Sequence, residues 1–249
     1  MKRLVFIFAF LLCCSAIQVQ ARGIMTMCGA GTGAAAPACT TPTGDELTES
    51  FGEGSTSCWT SGSSVCNNTW TVATGSPSIA NVPAGAADNT ACTKGLYFDA
   101  AESLRVDLGD GTISNNVQVV INATIYIDSS SMAGYALVNL LSLNGTAGGI
   151  PSSTAYAALA ITRQTSLTGS ATKFRVVGAS TCDIDFSEDT WYNITITLDA
   201  AGAANGSTLS DGTNSCNFTR DTDASRYVHV GASAVNVVGY IGNIRVTTP

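Results

Sequence analysis

Two stretches of strict alternation constrain this chain more than any other feature. In Val117–Asp128 the apolar Val117, Val119, Ile121, Ala123, Ile125 and Ile127 share one parity, and Gln118, Asn122, Thr124 and Tyr126 share the other. Trp191–Asp199 repeats the period, with Tyr192, Ile194, Ile196 and Leu198 apolar and Asn193, Thr195 and Thr197 polar. Successive side chains of a strand point to opposite faces, so each stretch reads as a strand with one dry and one wet face. Weaker alternation marks strands at Gly95–Phe98, Ser103–Leu108, Tyr135–Leu143, Tyr156–Arg163, Lys173–Val177, Tyr227–Val230 and Val237–Val246. Asp110-Gly111, Asn144-Gly145, Asn205-Gly206 and Asp211-Gly212 mark reversals between them. No stretch holds a helical period over about 12 residues. About ten to fourteen short strands in one domain predict two packed antiparallel sheets, an all-β sandwich.

The amino terminus has a different character. Lys2 and Arg3 precede an apolar run, Leu4–Leu12, and Val19-Gln20-Ala21 supplies a small-residue cleavage pattern. Residues 1–21 therefore read as a signal peptide, and the run is too short to cross a bilayer. Cys13 and Cys14 follow Phe10, Leu11 and Leu12, which are larger than a lipid-attachment site carries before its cysteine. Residues 22–46 are rich in Gly, Ala, Thr and Pro without alternation and read as a flexible lead. The folded domain is expected over residues 47–249, and the chain is expected to be secreted.

Seven cysteines follow the cleavage point: Cys28, Cys39, Cys58, Cys66, Cys92, Cys182 and Cys216. In an exported chain they read as structural disulfides. Cys28 with Cys39 would clip the lead, and Cys58 with Cys66 would close a short loop. Cys182 with Cys216 would staple neighbouring strands around Trp191, and the odd count leaves one thiol over. No C-x-x-C occurs and His229 is the sole histidine, which removes the usual zinc frameworks. Without Lys2 and Arg3 the chain has 9 basic residues against 18 acidic ones. This balance disfavours nucleic acid and anionic membranes, which demand basic patches, and fits neutral ligands or cations better; the expected partner is an extracellular glycan or a surface protein.

Several short patterns share one resemblance. Gly95-Leu96-Tyr97-Phe98-Asp99, the long strand from Val117, Asp189-Thr190-Trp191-Tyr192-Asn193-Ile194-Thr195-Ile196, Asp211-Gly212, His229-Val230-Gly231 and Gly239-Tyr240-Ile241-Gly242-Asn243-Ile244-Arg245-Val246 occur in that order. From about Leu47 onward the chain resembles the concanavalin A-like superfamily, the laminin-G-like jelly rolls of lectins and glucanases. That resemblance implies a jelly-roll sandwich and leaves the activity open, because one fold hosts many functions.

The candidate chemistry divides by site. Asp183-Ile184-Asp185-Phe186-Ser187-Glu188 is similar to the E-x-D-x-x-E motif of retaining jelly-roll glucanases, with Asp183 as nucleophile, Glu188 as acid and Asp185 between them. Asp183 in place of Glu shortens the reach, and Glu188 lies in what reads as a loop, so a solvated acidic turn competes with catalysis. A jelly-roll lyase needs Tyr, His, Arg and Gln together. Arg105 and Gln118 have no histidine near them in sequence, and His229 faces away from Val228 and Val230 as a surface or satisfied side chain. Calcium is the one cofactor considered, at Asp107 with Asp110 or Asp221 with Asp223, although Asp in turns commonly caps backbone. Gln118, Asn122, Thr124 and Tyr126 form the expected ligand-binding face, with Tyr126 as its exposed ring and Trp191 sealing the core edge. N-x-Ser/Thr sequons at Asn67, Asn122, Asn144, Asn193, Asn205 and Asn217 include two on that face. The expected role is noncatalytic recognition or adhesion by carbohydrate binding. The alternatives are a glycan-cleaving hydrolase using Asp183, Asp185 and Glu188, and a structural surface protein.

Overall fold

A computed structural model describes residues 45–51, 64–65, 68–83, 94–108, 113, 117–131, 137–145, 148, 158–163, 172–200, 203–220, 226–234 and 237–249. All of these belong to the second of two compact units, Cys39–Pro249. The signal peptide and nearly all of the lead lie outside the described residues.

The described strands form two eight-stranded antiparallel sheets. Across the first run β14 (Ser215–Phe218), β13 (Ser207–Ser210), β12 (Trp191–Leu198), β7 (Val119–Ile127), β16 (Gly239–Thr247), β5 (Lys94–Phe98) and β4 (Ser78–Asn81), with β1 (Asp45–Ser50) also paired to β16. Across the second run β11 (Thr181–Asp185), β10 (Thr172–Val177), β9 (Ala158–Arg163), β8 (Val138–Asn144), β15 (Tyr227–Ala232), β6 (Glu102–Asp107), β3 (Asn68–Thr74) and β2 (Ser64–Val65). Consecutive strands often lie in different sheets, as in a jelly roll. Among the described residues no helix is long and apolar enough to cross a membrane.

The core is built by the parity read from sequence. Ile121, Ile125 and Ile127 of β7 are buried with Ile194, Ile196 and Leu198 of β12, and Leu104, Val106, Leu141, Leu143, Val228 and Val230 contribute from the second sheet. Each such side chain contributes about 1.5–3 kcal/mol when fully buried. Trp70 is wholly buried with its ring 5.5 Å from that of Phe51 and tilted by 55° to it, so the end of β1 and the start of β3 supply two large core rings.

β11, β13, β14 and β1 depart from the expectation. β11 was expected as an acidic turn, yet Cys182 and Ile184 point into the core and the aspartates between them point out. β13 and β14 are short and polar, and their strand character comes from pairing with β12 and with each other. β1 begins at Asp45, inside the expected lead.

Cys182 and Cys216 form a disulfide, with Cα atoms 5.7 Å apart. It staples neighbouring strands as expected, and the two belong to different sheets: Cys182 is on the outermost strand of the second sheet and Cys216 on that of the first. The bridge therefore laces the two layers along one side. Cys28, Cys39, Cys58, Cys66 and Cys92 lie outside the described residues.

One irregularity bears on the site. On β16, Ile241 pairs with Ile125 and Ile244 with Ala123, so Gly242 and Asn243 together oppose Thr124. Two residues against one is a β-bulge, which re-aims the strand locally.

Candidate functional site

The outward face of the first sheet gathers four aromatic rings in one row. Tyr97 of β5 opposes Tyr240 of β16, Tyr240 opposes Tyr126 of β7, and Tyr126 opposes Trp191 of β12. Directly opposed residues on adjacent antiparallel strands present their side chains on the same face about 4.5–5.5 Å apart. The ring centroids accordingly stand 5.1 Å (Tyr97–Tyr240), 6.0 Å (Tyr240–Tyr126) and 5.4 Å (Tyr126–Trp191) apart, mutually tilted by 50°, 69° and 47°. Their parity keeps them off the core: Leu96, Phe98, Ile125, Ile127 and Ile241 beside them point inward.

Two expectations are corrected here. Trp191 does not seal the core edge, since it shares the face of Tyr126. Its neighbour Tyr192 takes the inward position and packs edge-on against Phe174 at 5.3 Å. Tyr126 is not an exposed ring, because flanking by Trp191 and Tyr240 leaves it 7% exposed, while Tyr97 and Tyr240 are half-buried. Trp191 is 8% exposed, and its Nε1 has no hydrogen-bond partner among the described residues.

A carboxylate rim borders the row. The Tyr97 hydroxyl donates to Asp99 Oδ2 at 3.2 Å, and the Tyr126 hydroxyl donates to Asp189 Oδ1 at 3.1 Å. Asp189 also accepts from the Ser129 backbone at 2.9 Å and sits in the turn before β12 with φ 59°, a left-handed conformation that Asp tolerates. Hydrogen bonding from Ser129 and Tyr126 holds its carboxyl below the usual carboxylate range. Asp128 directly follows β7, and Glu102 opens β6 with its carboxylate accepting from the backbones of Ser76 and Asp99, both at 3.3 Å. Burial first and then these carboxylates push Tyr97 and Tyr126 up to about 12. Burial and Asp128 raise Tyr240 as well. The phenols are therefore neutral donors at any physiological pH.

Away from the row the same face is polar. Thr124 donates to Asn193 Oδ1 at 3.3 Å, and Thr195 donates to Asn122 Oδ1 at 3.0 Å. These are the two sequons of the face, interlocked, each threonine bonding the other sequon's asparagine. The four expected face residues do not act as one group: Asn122 and Thr124 belong to this ladder, Thr124 is buried, Gln118 is exposed before β7, and Tyr126 belongs to the row. Tyr97 and Tyr240 were missed because the pairings that align them, β5 with β16 and β16 with β7, join segments far apart in sequence.

The acidic motif lies on the other sheet. Asp183 and Asp185 alternate onto one face of β11, and Glu188 follows in the turn. Arg175 donates to both oxygens of Asp183 at 2.7 Å, and Lys173 pairs with Asp185 at 2.6 Å. Asp107 accepts a two-pronged contact from Arg226 at 2.8 and 2.7 Å. Asp110, Asp221 and Asp223 lie outside the described residues, and no three His, Cys, Asp or Glu side chains converge among the described ones. His229 faces away from the core as expected but is wholly buried, with Arg105 and Ser142 opposite it in register. Arg105 thus has a histidine beside it, which the sequence concealed, while Gln118 precedes a strand of the other sheet.

No family model matches the chain, and no curated protein matches it in sequence. Solved structures do match. The T. cruzi calreticulin globular domain has a TM-score of 0.53 at 13% identity, over 82% of this chain and 88% of that one. The botulinum neurotoxin serotype D binding domain gives 0.53 at 11%, and the botulinum neurotoxin DC binding domain, solved in complex with rat synaptotagmin II, gives 0.51 at 12%. Both of these cover 82% of this chain, which spans about half, 48%, of the toxin chains. At such identities the likeness shows a shared β-sandwich fold.

Proposed function

We propose that the chain is a secreted, concanavalin A-like recognition domain that binds extracellular carbohydrate without cleaving it, through the outward face of the first sheet. The row carries this reading through the half-buried rings of Tyr97 and Tyr240, with Tyr126 and Trp191 continuing it beside them. Aromatic rings meet the apolar faces of sugars, while carboxylates and amides beside them accept and donate to hydroxyls. The orphaned Trp191 Nε1 supports it further, because a buried donor without an acceptor is costly and a ligand oxygen would satisfy it. Binding is favoured over hydrolysis because Asp183 and Asp185 are each held by a cation across the strand pair.

The test is a glycan array probed with the purified mature protein, with and without calcium, followed by a cleavage assay on every hit. Saturable binding that falls at least about tenfold in Tyr240→Ala, without cleavage, is the expected result. Binding that survives Tyr240→Ala and Trp191→Ala would remove the row from the function. Cleavage abolished by Asp183→Asn would make the hydrolase reading correct.

A further inference from the structure

The charge around the aromatic row is one-sided. Asp99 and Asp189 bond its phenols, Glu102 bonds the backbone of Asp99, and Asp128 lies close enough to raise Tyr126 and Tyr240. Among the described residues none of these four carboxylates forms a salt bridge with a basic residue, whereas Asp107, Asp183 and Asp185 elsewhere each have one. The rings themselves are tilted by 47° to 69° against their neighbours, which makes a faceted surface rather than one flat platform. Aromatic faces carry negative potential, so tilted rings rimmed by uncompensated carboxylates attract a cation twice over. Trp191 is more than nine-tenths buried with its Nε1 unpartnered among the described residues, and this donor asks for a neutral oxygen acceptor in the same ligand.

We infer that the glycan bound at this row carries free, protonated amino groups: a de-N-acetylated hexosamine polymer, its ammonium held by the rings and by Asp99, Asp128 and Asp189, and a ring or hydroxyl oxygen taken by Trp191 Nε1. This rests on the carbohydrate reading above. Uronate, sialylated and sulfated sugars are repelled by the same rim, and neutral sugars gain the stacking without the charge.

Isothermal titration of the mature protein with matched oligomers of glucosamine, N-acetylglucosamine and galacturonate decides the matter. The glucosamine oligomer binds about tenfold or more tightly than its N-acetylated form. That preference disappears when the pH is raised past the sugar amine's own pKa and weakens with added salt. Asp189→Asn keeps an acceptor for Tyr126 and Ser129 and suits a positive φ, so it removes charge with the fold intact; it and Asp128→Asn each erase most of the preference. Equal or tighter binding of the N-acetylated oligomer, unmoved by either variant, overturns the inference and leaves the carbohydrate reading standing. Failure of every oligosaccharide to bind overturns both. Choline binding as tightly as the oligomer overturns the assignment to a sugar, and glucosamine binding that ignores Tyr240→Ala and both asparagine variants overturns the assignment to this face.

Discussion

A Cβ placed on Gly242 would lie 3.5 Å from Cζ3 of Trp191, although the two residues stand on strands separated by β7. The indole therefore reaches across β7 toward the β16 bulge, and the bare Cα of Gly242 leaves it room. A methyl group at that distance makes ordinary van der Waals contact, so Gly242→Ala keeps the fold, the near-ultraviolet circular dichroism and ligand binding. Gly242→Leu displaces the indole, changes that spectrum and weakens glycan binding about tenfold. Unaltered binding in Gly242→Leu would show that Trp191 is not needed where it sits.

Gly231 has no such latitude. Its φ is 131°, and a Cβ there would collide with the Glu102 carbonyl oxygen and come within 2.8 Å of Ser103 Cα. Both obstacles are backbone of the neighbouring strand, so nothing can swing aside. Gly231→Ala is expected to cost roughly 3 kcal/mol or more, measured as a fall in denaturant midpoint or as loss of soluble protein. A wild-type midpoint in this variant would be inconsistent with the β6–β15 register.

The Cys182–Cys216 bridge closes a loop of 34 residues and joins the two sheets. By chain entropy, Cys182→Ser with Cys216→Ser lowers stability by about 2–4 kcal/mol. Chemical denaturation of the double variant against wild type checks the magnitude. An unchanged midpoint would mean that core burial alone holds these edge strands together.

Alkaline titration reads the row directly. Of the seven tyrosines, Tyr97 and Tyr126 have phenols displaced upward from 10.0 to about 12, through burial and then through Asp99 and Asp189. A raised folded-state value means that the folded form holds its proton more tightly. The resulting stabilisation is complete below the unfolded phenol's value and is lost as pH rises from about 10 through about 12. Tyrosinate absorbance should show at least two phenols titrating late, and the midpoint of unfolding should fall across that window. Uniform titration of all tyrosines near 10 would count against the row.

Asp183→Asn provides the contrasting case. The pair with Arg175 is about one-quarter exposed on each side, so its loss costs on the order of 1 kcal/mol or less. Glycan affinity at the other sheet should be unchanged. A large fall in affinity would move the ligand to the face of β10 and β11.

The parity of β7 and β12 was legible because a half-buried strand writes its two faces into every second residue. The same parity places Trp191 with Asn193 and Thr195 on the wet side. Its place at the mouth of β12 suggested a core-edge role for Trp191, and the alternation was the better guide. The turns at Asn205-Gly206 and Asp211-Gly212 were legible for local reasons too: Asn205 has φ 56° and Gly212 φ 87°, while Asp211 accepts from the backbones of Thr213 and Asn214 at 2.8 and 2.6 Å. β11 and β14 were not, since their polar residues alternate too briefly to exceed the background of a Thr- and Asn-rich chain.

The sequence by itself determined the fold class, the dry and wet faces of the two long strands and the turns at Asn205-Gly206 and Asp211-Gly212, because these follow from period-two patterning and local backbone preference. Only the tertiary structure decided that Tyr97, Tyr240, Tyr126 and Trp191 stand side by side, that Asp189 reaches the hydroxyl of Tyr126 across 63 residues, and that Cys182 meets Cys216 between sheets. Strand order and register are set by which nonlocal pairings bury the whole core at once, and no window along the chain contains that information.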